Sequence, residues 1–159
     1  MAFSDQRRPF DHVGNFNFIV EIDAVSAGAF KNVDGLSAEV SIVEYQDGND
    51  LVLRKRPGRT KYGDITLKRG YVEDNSLFNW FMRGVEGKIE RKSVSIILLN
   101  SAGDEVVRYN LFEAWPSKWK GFTLDGKADD AAVEEITFCV EKWERVISES
   151  ATAAAGVIR

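Results

Sequence analysis

Three segments of the chain alternate apolar and polar residues, which is the pattern of a β-strand with one buried face. In residues 16–23 the apolar positions are Phe16, Phe18, Val20 and Ile22. Residues 38–45 alternate in the same way and are rich in β-branched side chains, and residues 64–69 form a third such run. We therefore predict three strands, each with one face against a core.

One segment has the three-and-four spacing of an amphipathic helix. Asn75 and Ser76 suit a helix start, and Gly84 and Gly87 suit its end. The apolar positions between them are Leu77, Trp80, Phe81 and Val85. The spacing predicts a helix of about three turns, and we assign its aromatic stripe to packing on a sheet rather than to a ligand.

The second half of the chain contains a hairpin signal and one ambiguous segment. Residues 93–99 and 105–112 are extended patterns on either side of the polar turn at 100–104. Trp115 and Pro116 are predicted to interrupt the second pattern, which resumes over 118–124. Residues 133–147 fit both a helical stripe and an alternating strand, and their β-branched and aromatic content favours a strand.

These segments predict a mainly β (α+β) fold with about seven strands and one flanking α-helix. Antiparallel strands in this number usually close into a barrel or a sandwich, because open edges invite aggregation. A chain of 159 residues is the size of one domain. We predict a flexible N-terminal arm at 1–13, one domain at 14–147 and a flexible C-terminal tail at 148–159.

Composition and charge exclude several classes of protein. The chain is 44% hydrophobic and 29% charged, which is typical of a globular protein, and its net charge of −4 argues against a dedicated nucleic-acid binder. Residues 1–13 contain two arginines without a following apolar run, so we predict no secretory signal. No segment reaches the roughly 18 apolar residues of a membrane helix. We therefore expect a protein that is made and assembled in the cytoplasm.

The sequence offers little for catalysis, a metal or a cofactor. His12 is the only histidine and Cys139 the only cysteine, so a zinc site or a catalytic triad lacks its usual residues. Two pairs of adjacent carboxylates occur at 129–130 and 134–135, but adjacent positions on a strand point to opposite faces. Cys139 is expected to be a half-buried packing residue. We predict that the protein is not an enzyme and uses no metal or cofactor.

The distribution of charge is the strongest chemical signal. Residues 46–63 form a polar stretch that exceeds the usual connection of about 4–6 residues, and long loops tend to be functional. Residues 51–63 contain no acidic residue and five basic ones, Arg54, Lys55, Arg56, Arg59 and Lys61. Residues 125–149 contain eight acidic residues and three basic ones. The two regions are either separate solvated surfaces or the complementary halves of a head-to-tail contact between copies; a contact with phosphates is a weaker alternative.

The order of the signals resembles one protein family. The matching positions are the strand at 16–22, residues 30–36, residues 43–45 with Gly48, residues 62–70, Trp80, residues 114–116 with Lys118 and Gly121, and the acidic strand at about 134–140. Together they resemble the tail-tube family of contractile phages and of phage-derived extracellular contractile injection systems, over residues 14 to 147. We assign Trp80, Trp115 and Pro116 to packing and turn geometry.

The resemblance implies an antiparallel barrel or sandwich whose hexameric rings stack into a hollow tube inside a contractile sheath. The family's ring-stacking loop corresponds to about residues 45–62, so the five basic residues of this segment are predicted to contact the neighbouring ring. The acidic surface that receives them is our own inference, with Asp129, Asp130 and Glu134 as candidates.

The implied partners are other copies of the chain, the sheath protein, the baseplate hub or spike, a tube-terminating cap, and a cargo protein or DNA in the lumen. We expect no membrane anchor, and a location in a phage tail or tail-like particle that is released by lysis. One alternative function is a first-ring adaptor that joins the tube to the spike. A second is a secreted, type VI-like tube protein that carries effectors, and a third is a β-barrel enzyme or ligand-binding protein.

Overall fold

The computed structural model describes residues 18–23, 25–26, 30–70, 75–123, 125–127 and 132–148. The predicted arm at 1–13 lies outside the described residues, as does the predicted tail except for Ser148. The elements are β1 (Phe18–Ile22), β2 (Val25–Ser26), β3 (Asn32–Asp34), β4 (Ala38–Tyr45), β5 (Arg54–Tyr62), β6 (Ile65–Gly70), α1 (Ser76–Val85), β7 (Lys92–Leu99), β8 (Glu105–Lys120), β9 (Val133–Cys139) and β10 (Lys142–Ile147).

Eight of the strands form one antiparallel sheet, which confirms the predicted mainly β fold with one helix. The strand order is β2-β1-β7-β8-β9-β6-β3, and β10 pairs with β8 beside this path. Strand β8 joins the two halves of the sheet, because its first part pairs with β7 and β10 and its second part pairs with β9. Within the described residues the sheet does not close on itself, and its path ends at the short strands β2 and β3.

The core lies on one face of this sheet, beneath the helix. The largest fully buried side chains are Phe138, Ile65, Leu67, Leu111, Val20 and Val94. Leu77 and Trp80 of α1 are also buried, and the Trp80 ring packs on Phe138 with centroids 5.2 Å apart. The indole Nε1 of Trp80 donates a hydrogen bond of 2.7 Å to the Glu90 carbonyl, so its polar atom is satisfied in the core. The helix prediction is therefore confirmed, except that Val85 is 62% exposed.

The predicted loop at 46–63 is wrong, because half of it is the strand β5. Strand β5 pairs with β4 as a separate two-stranded sheet, and only residues 46–53 connect the two strands. Every residue of β4 is exposed, so the expected buried face of residues 38–45 is wrong as well. Strand pairing satisfies the backbone whatever the side chains are, so neither burial nor alternation is needed to form this pair.

Two further predictions concern β8 and the end of the chain. The predicted interruption at Trp115 and Pro116 is wrong, because β8 continues to Lys120. The strand is irregular there: Glu113 has a φ of 54°, and the register with β9 shifts between Pro116 and Lys118. A proline, which has no N–H, is tolerated at such an irregularity. The strand interpretation of residues 133–147 is confirmed as two strands, β9 and β10.

Candidate assembly surface on the β4–β5 hairpin

All five basic residues predicted to contact a neighbouring ring lie on β5. The hairpin has two registers, because Ile42 faces Pro57 while Val40 faces Thr60, and one strand therefore carries a bulge. The Ser41 hydroxyl stabilises this bulge by donating a 3.0 Å hydrogen bond to the Arg59 carbonyl. The basic residues are thus held on a paired strand rather than on a flexible loop.

Three of the five cations face a carboxylate within the hairpin. Arg54 Nε binds Asp50 Oδ2 at 2.6 Å. This hydrogen bond is the main cause that lowers the pKa of the Asp50 carboxyl, and the Val52 backbone N–H adds to the effect. Lys55 lies opposite Glu44 in the strand register, and Lys61 lies opposite Glu39.

Arg56 and Arg59 differ from the other three cations. Arg56 lies opposite Val43, and Arg59 belongs to the bulge. Of the five cations only Arg54 forms an ion pair among the described residues, so what distinguishes Arg56 and Arg59 from Lys55 and Lys61 is that no carboxylate lies opposite them in the strand register. Residues 38–62 contain four acidic and five basic side chains, so the whole hairpin carries a net charge of only +1. Arg56 and Arg59 are therefore the two predicted cations that face no carboxylate of the hairpin, and the ring contact of all five stays a prediction.

The hairpin also exposes a set of apolar side chains that the sequence interpretation missed. Ile42 is 65% exposed and Leu51 is 98% exposed. The other exposed large apolar residues of this hairpin are Val40, Val43, Tyr45, Val52 and Leu53. Alternation in residues 38–45 was a correct signal for a strand, but it does not distinguish a face that packs on the chain's own core from one that stays exposed in a single subunit.

The acidic candidates lie elsewhere. Asp129 and Asp130 lie outside the described residues. Glu134 is on β9, opposite Arg69 of β6, and its Oε2 is 3.6 Å from the Arg69 Nε. Its side chain is only 16% exposed. Because of the ion pair with Arg69, the Glu134 carboxylate already has a cation partner in its own subunit. The acidic partner surface itself stays a prediction.

The residues considered for catalysis do not form a reactive group in the described part of the chain. His12 lies outside it. Glu134 and Glu135 face different cations, Arg69 and Lys68, as expected for neighbours on a strand. Burial, with the Asp64 and Glu141 carboxylates, raises the pKa of the Cys139 thiol and so favours its unreactive protonated form.

The described residues lack both a metal site and a membrane-spanning helix. They contain no group of three or more histidine, cysteine or acidic side chains placed to hold a metal ion. No helix among them is long and apolar enough to cross a membrane.

On the face of the sheet opposite the core, Ile19 and Ile97 lie among several polar groups that bond one another. Thr66 and Thr137 hydroxyls are 3.2 Å apart on facing strands, and Ser95 donates a 3.0 Å hydrogen bond to Asn110. Arg108 binds Glu105 at 2.8 Å and Glu21 at 3.3 Å. These two carboxylates raise the pKa of the Arg108 guanidinium, chiefly through the hydrogen bonds that Arg108 donates to Glu105. The face is therefore compatible with contact to water.

Comparison with solved structures shows similarity along nearly the whole chain. A chain in the cryo-EM structure of an extracellular contractile injection system, the PVC sheath-tube complex in extended state, is 26% identical with a TM-score of 0.82, covering 92% of this chain and 100% of that one. A chain in the PVC sheath/tube terminator structure in extended state is 27% identical with a TM-score of 0.77, covering 86% and 97%.

A more distant structure shares the fold. Hcp1 from Flavobacterium johnsoniae is 17% identical with a TM-score of 0.52, covering 82% of this chain and 95% of that one. No curated protein sequence matches the chain significantly. Residues 14–144 match the family described as T4-like virus tail tube protein gp19. The chain therefore belongs to this tail tube family, and it is a structural component of a phage tail or tail-like contractile particle rather than an enzyme.

Proposed function

We propose that the protein is the repeating subunit of the inner tube of a contractile injection particle. Hexameric rings of this chain stack head to tail around a lumen, and contraction of a surrounding sheath drives the tube through a target envelope. The observation that carries this proposal is the similarity to a chain of a sheath-tube complex, at 26% identity over 92% of this chain.

The β4–β5 hairpin supports a contact between rings. An isolated two-stranded sheet is marginally stable in water, and this one exposes Ile42 in the middle of β4 and Leu51 in the connection at its tip. A hairpin of this kind is better stabilised when a second subunit covers it. We propose that it contacts the neighbouring ring through these apolar residues and through Arg56 and Arg59, with Arg54, Lys55 and Lys61 at the edge of the same contact.

The remaining partners follow from the same role. The subunit contacts the sheath along the tube, the baseplate hub or spike at one end and a terminating cap at the other, and its lumen holds a protein cargo or DNA. We propose that the polar sheet face around Thr66 and Ser95 lines that lumen, because α1 covers the opposite face. Assembly in the cytoplasm and release by lysis belong to the same proposal.

Electron microscopy of the purified full-length protein tests this function. Wild-type protein is expected to form rings and long tubes, whereas Arg56→Glu/Arg59→Glu should leave a folded subunit that forms no long tubes. One exposed ion pair contributes only about 0–1 kcal/mol, so the effect depends on repetition of the contact around each ring. Lys88→Glu/Arg91→Glu makes the same change of charge away from the hairpin and is the matched control. Normal tubes from the hairpin variant would refute this stacking contact.

A second candidate function is a ring at the end of the tube, such as the adaptor to the spike. The similarity to a chain of the sheath/tube terminator structure, at 27% identity, supports an end ring on the cap side, and the adaptor on the spike side stays a prediction. It predicts single rings without long tubes from the pure wild-type protein. A secreted, type VI-like carrier predicts the protein in culture medium without sheath-containing particles.

A further inference from the structure

Two short segments join the hairpin to the main sheet, and we call them the neck. Residues 35–37 lead into β4, and residues 63–64 lead from β5 back to the sheet. The Gly63 N–H donates a 3.0 Å hydrogen bond to the Ser37 carbonyl, which ties the two crossings together. A side chain at Gly35 would collide with the Asp64 carbonyl, so the two backbones touch at the neck.

Beyond this neck the hairpin has little support from the rest of the described chain. Neither β4 nor β5 pairs with a strand of the main sheet, and both strands make almost no contact with its elements. A pair of strands that is held only at its base can rotate about that base as a rigid unit. The nine residues of β5 span about 30 Å, so a rotation of about 10° at the base displaces the tip by about 5 Å.

One side chain of the main sheet reaches the neck. Trp143, on β10, donates an indole hydrogen bond of 3.2 Å to the Ser37 carbonyl, which is the same oxygen that Gly63 binds. Its ring meets Tyr62, the last residue of β5, edge to face with centroids 5.7 Å apart. On its other side it meets Tyr109 of β8 in the same way at 5.6 Å. Trp143 thus connects both strands of the hairpin to the sheet.

We propose that Trp143 is a positioning residue, which fixes the direction of the β4–β5 hairpin in the unassembled subunit and thereby prepares it for the contact with the next ring. The hydrogen bond restrains the strand that enters the hairpin, and the Tyr62 contact restrains the strand that leaves it. Two restraints on two strands prevent both tilt and twist at the neck. The link to assembly rests on the proposed function, whereas the effect on hairpin direction does not.

A distance measurement across the neck tests the positioning role directly. Spin labels are placed at Asn49→Cys near the hairpin tip and at Ser101→Cys in the β7–β8 turn, both exposed, in a full-length protein with Cys139→Ser. Electron paramagnetic resonance of the unassembled protein should give one narrow distance distribution. Trp143→Leu should broaden it clearly, and Trp143→Phe, which keeps the ring contacts but loses the N–H donor, should broaden it less.

The matched control is Trp119→Leu. Trp119 is also a half-buried tryptophan on the sheet, but its edge-to-face partner is Phe78 of the helix, with centroids 4.9 Å apart. This control should lower the unfolding temperature and leave the distance distribution narrow. If Trp143→Leu does not fold, Tyr62→Leu removes the same contact from the hairpin side and should broaden the distribution.

Assembly is the second readout. Trp143→Leu should raise the protein concentration for half-maximal tube formation about tenfold, a change that corresponds to a loss of roughly 1.4 kcal/mol, and Trp119→Leu should not. A narrow distribution in Trp143→Leu, equal broadening in Trp119→Leu, or unchanged assembly of Trp143→Leu would each overturn the proposal. If even the parent protein forms no rings, the proposed function fails, while the distance distributions still decide whether Trp143 positions the hairpin.

Discussion

Arg69 shows how a single charged residue is accommodated in this fold. Among the described residues it is the only charged one that is buried, at 6% exposure. Its guanidinium lies 5.9 Å above the Phe30 ring and 3.6 Å from the Glu134 carboxylate. Burying a charge is costly unless the charge is paired. Glu134 therefore stabilises Arg69 in its own subunit, and a contact with a neighbouring subunit would have to compete with this ion pair.

This pairing predicts that Glu134 contributes to stability. Glu134→Gln should lower the free energy of unfolding by about 1–3 kcal/mol, because a carboxylate that forms an ion pair with a buried guanidinium is removed. The neighbouring Glu135→Gln is the control, since its partner Lys68 is 40% exposed and such pairs contribute about 0–1 kcal/mol. Urea unfolding of the unassembled protein measures both. Equal effects of the two substitutions would contradict the role assigned to burial.

Cys139 permits a prediction about pH. Burial, together with Asp64 and Glu141, raises the pKa of its thiol, so the folded chain keeps the thiol protonated where the unfolded chain already ionises. The folded state is therefore favoured below the usual thiol pKa of about 8.5 and loses this contribution as pH rises through the higher folded value. At pH 8.5 iodoacetamide should modify the folded protein at least about tenfold more slowly than the urea-unfolded protein, measured by mass spectrometry. Equal rates would show that the thiol is not protected.

At the scale of elements, the sequence predicts those strands and that helix whose apolar residues contact the chain's own core. Strands β1 and β6 and helix α1 follow from Val20, Leu67 and Trp80, each of which is buried. Strand β5 could not be predicted in this way, because only its last residue, Tyr62, packs against the core and its partner β4 is exposed throughout. The charges of β5 were visible in the sequence, but their pairing with β4 carboxylates depends on a strand register that periodicity does not reveal.

The turn before the hairpin gives a test at this scale. Gly35 has a φ of 93°, and an added Cβ would also meet the Asp64 backbone. Gly35→Ala should therefore destabilise the protein by more than the roughly 1–2 kcal/mol that a left-handed conformation costs a residue with a side chain. Gly87→Ala, with a φ of 85° and open space, isolates the conformational cost, and Gly48→Ala, with open space and no positive φ, should change little. Thermal unfolding of the three variants should give this order, and any other order would contradict the role of the close approach.

At the scale of the whole molecule, stability and assembly are properties of different parts. The buried core belongs to the main sheet and α1, whereas the hairpin adds strand pairing, exposed apolar residues and charge and packs against that core only through Tyr62 at its base. Substitutions on the hairpin surface are therefore expected to change association more than folding. Arg54 forms an ion pair with Asp50, and Lys55 and Lys61 lie opposite Glu44 and Glu39 in the strand register, which further distinguishes these three cations from Arg56 and Arg59.

This separation predicts how salt affects the tube. The Debye length falls from about 10 Å at 0.1 M to about 3 Å at 1 M ionic strength, which weakens charge contacts and leaves apolar contacts intact. Wild-type tubes should therefore need a moderately higher protein concentration in 1 M NaCl, and this dependence should disappear in Arg56→Gln/Arg59→Gln. The triple variant Arg54→Gln/Lys55→Gln/Lys61→Gln removes more charge but should keep the wild-type dependence, because these cations already face Asp50, Glu44 and Glu39. Sedimentation of tubes across a salt series measures all three proteins. If the triple variant loses the salt dependence and the double variant keeps it, the contact uses the cations that face a carboxylate within the hairpin, and these cations must turn to the neighbouring subunit when rings stack.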